Sequence, residues 1–155
     1  MNDPNQLSAQ DEATLSGVLD EIVPPRADGK LPGAGGLGMT RALSRPLGEN
    51  TDLLATTRRG LAALEADAVT RGADGFAALE RTDRRAALDA LATIEPGFLP
   101  GLIFHTYTAY YQDPRVVAAL GLEPRPPHPL GYDLEVGDFS LLEAVRKRPK
   151  LYRDC

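Results

Sequence analysis

"KLPGAGGLGMT", residues 30–40, is the stretch whose reading decides the fold. Gly33-Ala34-Gly35-Gly36-Leu37-Gly38 spells G-x-G-x-x-G, the fingerprint of dinucleotide-binding α/β folds. The fingerprint works only between a strand and a helix, where its glycines let a pyrophosphate approach the helix N-terminus. Here the preceding segment is "PPRADGK", which is not a strand. The helix that follows is predicted over about 38–44 and ends near Arg45-Pro46, because a residue before proline is pushed out of the α region. No βαβ unit comes after it. The match therefore reads as a flexible glycine-rich loop over 30–38, and the fold class turns on the flanking segments.

Those segments are helical. In "LSAQDEATLSGVLDEIVPP", Ser8 is a good N-cap with Asp11 at the capping-box position. Leu15, Val18, Leu19, Ile22 and Val23 fall on one face, and Pro24-Pro25 stops the helix. A second long helix is predicted from Asn50 or Thr51 to about Arg71, burying Leu53, Leu54, Leu61, Leu64 and Ala68. Thr82 is the expected cap of the next, which buries Leu88, Leu91 and Ile94. Glu95-Pro96 begins the helix whose body is "GFLPGLIFHTYTAYYQ". Asp113-Pro114 is a cap followed by proline at the first helical position, and Gly121 ends that short helix. Residues 122–137 hold four prolines and read as an extended loop. Asp138 caps a final helix, "FSLLEAVRKR", that runs into a basic tail, 145–155. No alternating strand pattern and no repeat is present. The expectation is an all-α fold: a compact single-domain helical bundle of about six helices, spanning 1–155, with a proline-rich loop before the last helix.

Composition limits the function. The chain has 155 residues, 43% hydrophobic and 25% charged, with a net charge of −5. That balance suits a globular protein and argues against a nucleic-acid binder, which carries a basic excess. Charge is uneven: residues 1–25 hold five acids and no base, while "VRKRPKLYR" (145–153) holds five bases and no acid. Cys155 is the only cysteine, and His105 and His128 are the only histidines. Neither a disulfide framework nor a His/Cys metal cluster follows. No apolar run is long enough for a membrane helix. The polar, acidic N-terminus is unlike a secretory signal, so the chain as written reads as cytoplasmic.

No catalytic constellation stands out. His105 lies on the aromatic helix and reads as a packed, hydrogen-bonded core histidine; His128 reads as a rigid loop residue. Ser8, Ser44 and Ser140 have no nucleophile-elbow context, and terminal Cys155 is a poor nucleophile. Asp20-Glu21 reads as a solvated helix face. The aromatics, by contrast, are segregated: eight of nine lie after position 97. Phe98, Leu99, Leu102, Ile103, Phe104, Tyr107, Tyr110 and Tyr111 cover most of the circumference of the 98–112 helix, which points to burial on more than one side. Domain core is the default reading; the competing one is that part of this surface, led by the tyrosines, is covered by a partner, tyrosine being favoured at interfaces.

The stretch "FHTYTAYYQDPRVVAALGLEPRPPHPLGYDLEVGDFSLLEAVRKRPKLYR" resembles the family called gluconate 2-dehydrogenase subunit 3. The matching positions include Tyr110, Tyr111, Asp113, Pro114, Val116, Leu120 and Gly121. They continue through Pro127, Pro129, Gly131 and Tyr132 to Leu141, Leu142, Val145, Arg146, Arg148, Tyr152 and Arg153. The opening helix and its Pro/Gly loop are similar too, so the resemblance spans most of the chain and is strongest over 104–153.

The resemblance implies an accessory role. Such a chain is a non-catalytic small subunit that supports folding, maturation or export of a large flavoprotein of the glucose–methanol–choline oxidoreductase type. That partner holds FAD and oxidises a sugar, glycoside or other alcohol; a cytochrome c is an optional third component. No cofactor is expected in this chain itself, and no nucleic acid or membrane among its partners. The candidate partner-binding residues are Tyr107, Tyr110, Tyr111, Arg115, Tyr132, Arg146, Arg148, Tyr152 and Arg153. One feature departs from the family: Arg58-Arg59 is mid-helix, and no twin-arginine export signal is present. Periplasmic location would follow only from export with the partner or removal of a signal. The competing reading is a free-standing helical adaptor that binds an acidic partner through its basic tail.

Overall fold

The structure, a computed structural model, describes residues 7–123 and 137–149. The chain divides into two units, Met1–Pro124 and Arg125–Cys155. Among the described residues every regular element is helical, in agreement with the all-α expectation.

In the first unit, α1 (Ala9–Ile22) begins at the predicted capping box. The Asp11 amide donates to Ser8 Oγ at 3.1 Å, and the Ser8 amide donates to the Asp11 carboxylate at 3.1 Å. Leu15, Val18 and Leu19 are fully buried. The second helix, α2 (Met39–Glu49), does not stop at Arg45-Pro46 but runs through Pro46. Proline there removes the hydrogen bond to the Ala42 carbonyl, at a cost of about 3 kcal/mol. Ala42 is exposed, so water can reach that carbonyl. Continuing the helix also keeps Met39, Leu43 and Leu47 on one buried face. Fully burying a leucine contributes about 1.5–3 kcal/mol, enough to offset most of the penalty.

The long helix α3 (Thr51–Thr70) starts where Asn50 accepts the Leu53 amide at 2.9 Å. It buries Leu54, Leu61, Leu64 and Ala68, as its spacing predicts. A 3-10 turn, Phe76–Ala78, follows and drives Phe76 into the core. Glu65 fastens this turn: its carboxylate accepts the Phe76 amide at 3.2 Å and the Thr14 hydroxyl.

Helix α4 (Arg81–Ile94) starts before Thr82, with Glu80 as a cap that makes no side-chain bond. The earlier start places Arg81 and Arg84, three residues apart, on one face. Both reach Glu21 of α1, at 3.4 and 2.9 Å. The Glu21 side chain is only 4% exposed, so it is a buried counterion rather than part of a solvated face. Leu88 and Leu91 are buried as expected, but Ile94, the last residue of the helix, is 74% exposed.

Helix α5 (Phe98–Gln112) packs against α1, α2 and α3. Gly60 of α3 admits the Phe98 ring so closely that an added Cβ would lie 2.2 Å from it. The short α6 (Pro114–Ala119) is capped by Asp113, and the chain leaves it through Gly121 at φ +78°.

In the second unit the predicted last helix is reduced. Asp138 accepts the Ser140 amide at 2.9 Å and opens a 3-10 turn, Phe139–Leu142. One α-turn, α7 (Glu143–Arg146), follows.

Candidate functional site

The glycine loop is hydrogen-bonded into the first unit. The Ala34 amide donates to the Val23 carbonyl at 3.0 Å, and the Met39 amide to the Ala34 carbonyl at 3.1 Å. Leu31, Ala34 and Leu37 are buried. The amides of Gly35 and Gly36 both point at Asp20 Oδ1, at 2.8 and 3.2 Å. A Cβ on Gly33 would lie 2.1 Å from that same oxygen, and one on Gly35 would lie 2.1 Å from the Ser16 carbonyl. Gly38 has φ +74° and starts α2. The glycines thus serve close approach and a left-handed turn, as in a phosphate loop, but the anion they meet is a carboxylate of α1. Asp20 is half-buried and engaged, not a solvated surface acid.

The six sequence-predicted site residues that fall within the described part separate into four groups. Tyr107 and Tyr111 are exposed, at 44% and 53%, with rings stacked at 6.0 Å. Tyr110 is turned into the core at 3% exposure, so it is not a surface residue. Its hydroxyl donates to the Pro32 carbonyl at 3.0 Å, tying α5 to the glycine loop, and its ring meets Tyr111 edge-on. Burial pushes this phenol above its ordinary pKa. Arg115 is bound at 2.8 and 2.9 Å to the two carboxylate oxygens of Asp113, and also donates to the Leu37 carbonyl at 3.0 Å. Arg115 holds the Asp113 carboxyl below the usual carboxylate range. In the second unit Arg146 pairs at 3.0 Å with Glu143, and Arg148 is exposed. Tyr132, Tyr152 and Arg153 lie outside the described residues.

Ile103, Phe104, Tyr107 and Tyr111 occupy roughly a third of the α5 circumference, and all are exposed. They form a ridge between two clefts. On one side is a groove of about 250 Å³, lined by Leu88, Leu99, Ile103 and Tyr107 together with Glu21, Arg85 and Asp89. On the other is a cleft of about 710 Å³ between α2 and α5. Arg41 and Arg45 reach it from α2, His105 and Gln112 from α5. His105 is half-buried and stands edge-on to Phe104 at 5.1 Å. Contrary to the reading of a hydrogen-bonded core histidine, its imidazole makes no hydrogen bond among the described residues. The exposure of Phe104 was missed at the sequence level because an apolar residue on an aromatic helix reads as core. A helical wheel anchored on Phe98, Leu102, Thr106 and Tyr110 would have separated the faces. Among the described residues, no three His, Cys, Asp or Glu side chains are placed to hold a metal ion.

Together these features define a helical domain whose distinctive exposed surface is an aromatic ridge flanked by an apolar groove and a cationic cleft. The chain belongs to the gluconate 2-dehydrogenase subunit 3 family, whose model matches residues 9–123. The match takes in the glycine loop and the ridge and stops at residue 123, so it covers only the first part of 104–153, where the sequence resemblance is strongest. Residues 124–136, read from the sequence as most of a proline-rich loop, lie outside the described residues. No curated protein and no solved structure matches the chain.

Proposed function

We propose that this chain is a non-catalytic small subunit of an FAD-dependent oxidoreductase. It binds a large glucose–methanol–choline type flavoprotein that oxidises a sugar or other alcohol, and supports that partner's folding and maturation. Family membership supports the accessory role. The observation that carries the docking assignment is the α5 ridge. Contiguous exposed apolar surface of this kind marks a protein interface, and stacked tyrosines give large contact area at low entropic cost. FAD is held by the partner; in this chain the glycine loop's amides are already directed at Asp20.

The test is co-expression with the large subunit. Wild type should retain a yellow flavoprotein. The double variant Phe104→Ser, Tyr107→Ser should retain at least tenfold less, with unchanged helical circular dichroism. Equal retention by the double variant would remove the ridge from the interface. Failure of wild type to retain any flavoprotein would reject the accessory-subunit reading.

A further inference from the structure

The cleft between α2 and α5 is rich in donors and poor in acceptors. Arg41 makes no ion pair among the described residues, and neither His105 nor Gln112 makes a side-chain hydrogen bond there. Arg45 pairs with Glu49 at 2.8 Å, but both side chains are mostly exposed (84% and 65%). An exposed i,i+4 pair of this kind contributes little and is readily exchanged for a better partner. The one acid in the lining, Asp113, is saturated: both its oxygens are held by Arg115, and it also accepts the Arg115 amide at 2.9 Å. No acid lies in the first turn of α2. The cleft therefore carries uncompensated positive charge beside the aromatic ridge, and the Phe104–His105 ring contact joins the two surfaces.

We infer that this cleft receives an aspartate or glutamate side chain of the large flavoprotein subunit, gripped by Arg41 and Arg45 while the ridge docks. The inference rests on the accessory-subunit reading above and deepens it. Charge complementarity selects the occupant. Two guanidinium groups offer bidentate geometry to a carboxylate, and a neutral or cationic side chain would leave them unpaired. A charged contact at the rim of an apolar interface steers association and fixes register, and it weakens with salt.

The experiment measures affinity of the co-expressed, re-purified subunits at about 50 and 500 mM salt. Wild type, the double variant Arg41→Glu, Arg45→Glu, and Arg85→Glu on the opposite flank of the ridge are compared. The double variant should bind at least tenfold more weakly at low salt and come within about threefold of wild type at high salt. Arg85→Glu should lose much less. Wild-type affinity for the double variant at low salt, a deficit unchanged by salt, or an equal loss in Arg85→Glu would each overturn the inference. Wild type that binds no flavoprotein at either salt overturns the accessory reading and this inference with it. Melting temperatures of the free variants separate lost binding from lost folding.

Discussion

The Asp20 carboxylate of α1 accepts the Gly35 amide at 2.8 Å, and the Gly35 Cα packs so tightly that a Cβ would fall 2.1 Å from the Ser16 carbonyl. Because that obstacle is backbone, the loop itself must move to admit a side chain. Gly35→Ala should cost about 2–4 kcal/mol, the upper range for overpacking. Asp20→Ala leaves a buried amide unpaired and should cost about 1–3 kcal/mol. Chemical denaturation measures both. Neither wild type nor Asp20→Ala should bind FAD or NAD saturably in equilibrium dialysis, because no strand precedes the loop. Stoichiometric binding by wild type would restore the dinucleotide reading.

Much of the helical framework was legible in the sequence because its signals are local. Ser8 and Asp11 sit three residues apart, and the Asn50 cap and the Asp113-Pro114 start need only their neighbours. The purpose of the glycine loop was not legible, since Gly35 meets a carboxylate fifteen positions away. The same holds for Glu21, whose charge looks solvated until α4 brings Arg81 and Arg84 to it. Pro46 misled for a related reason: propensity marks it as a stop, and only the burial of Leu43 and Leu47 explains its continuation. At the candidate site, residue type identified the aromatic helix, but the inward turn of Tyr110 depends on packing.

Gly60 and Phe98 supply a second packing test. A helical glycine replaced by alanine ordinarily gains about 1 kcal/mol of helix propensity. Here the new Cβ would collide with a fully buried ring at 2.2 Å. Gly60→Ala should therefore destabilise by about 1–3 kcal/mol net. Phe98→Leu introduced with it should recover part of that loss, giving a favourable coupling in a double-mutant cycle. Additive losses would show that the two sites do not clash.

Thr57 offers the opposite sign. It is 1% exposed on α3, and its hydroxyl has no hydrogen-bond partner. Valine keeps the branched shape and removes the unsatisfied polar atom, so Thr57→Val should stabilise by about 1 kcal/mol. Thr57→Ser keeps the hydroxyl, loses a buried methyl and should destabilise by about 1 kcal/mol. A destabilised valine variant would reveal an unseen partner for the hydroxyl.

The Asp113–Arg115 pair makes a prediction in pH. Arg115 holds the folded-state carboxyl below its ordinary value, chiefly through their side-chain hydrogen bond. A depressed acid contributes stability above its unfolded pKa, near 3.9, and loses that contribution as pH falls through the lower folded value. Wild type should therefore melt higher than Asp113→Asn at neutral pH, and the gap should close below about pH 3–4. Because Arg115 also donates to the Leu37 carbonyl, protonating Asp113 frees the guanidinium that braces the end of the glycine loop. The Leu37 and Gly38 amide resonances should then shift with the same midpoint as the Asp113 carboxyl in an NMR titration. A gap that persists unchanged at low pH, or loop resonances that ignore this midpoint, would show that the pair is a surface contact with no hold on the loop.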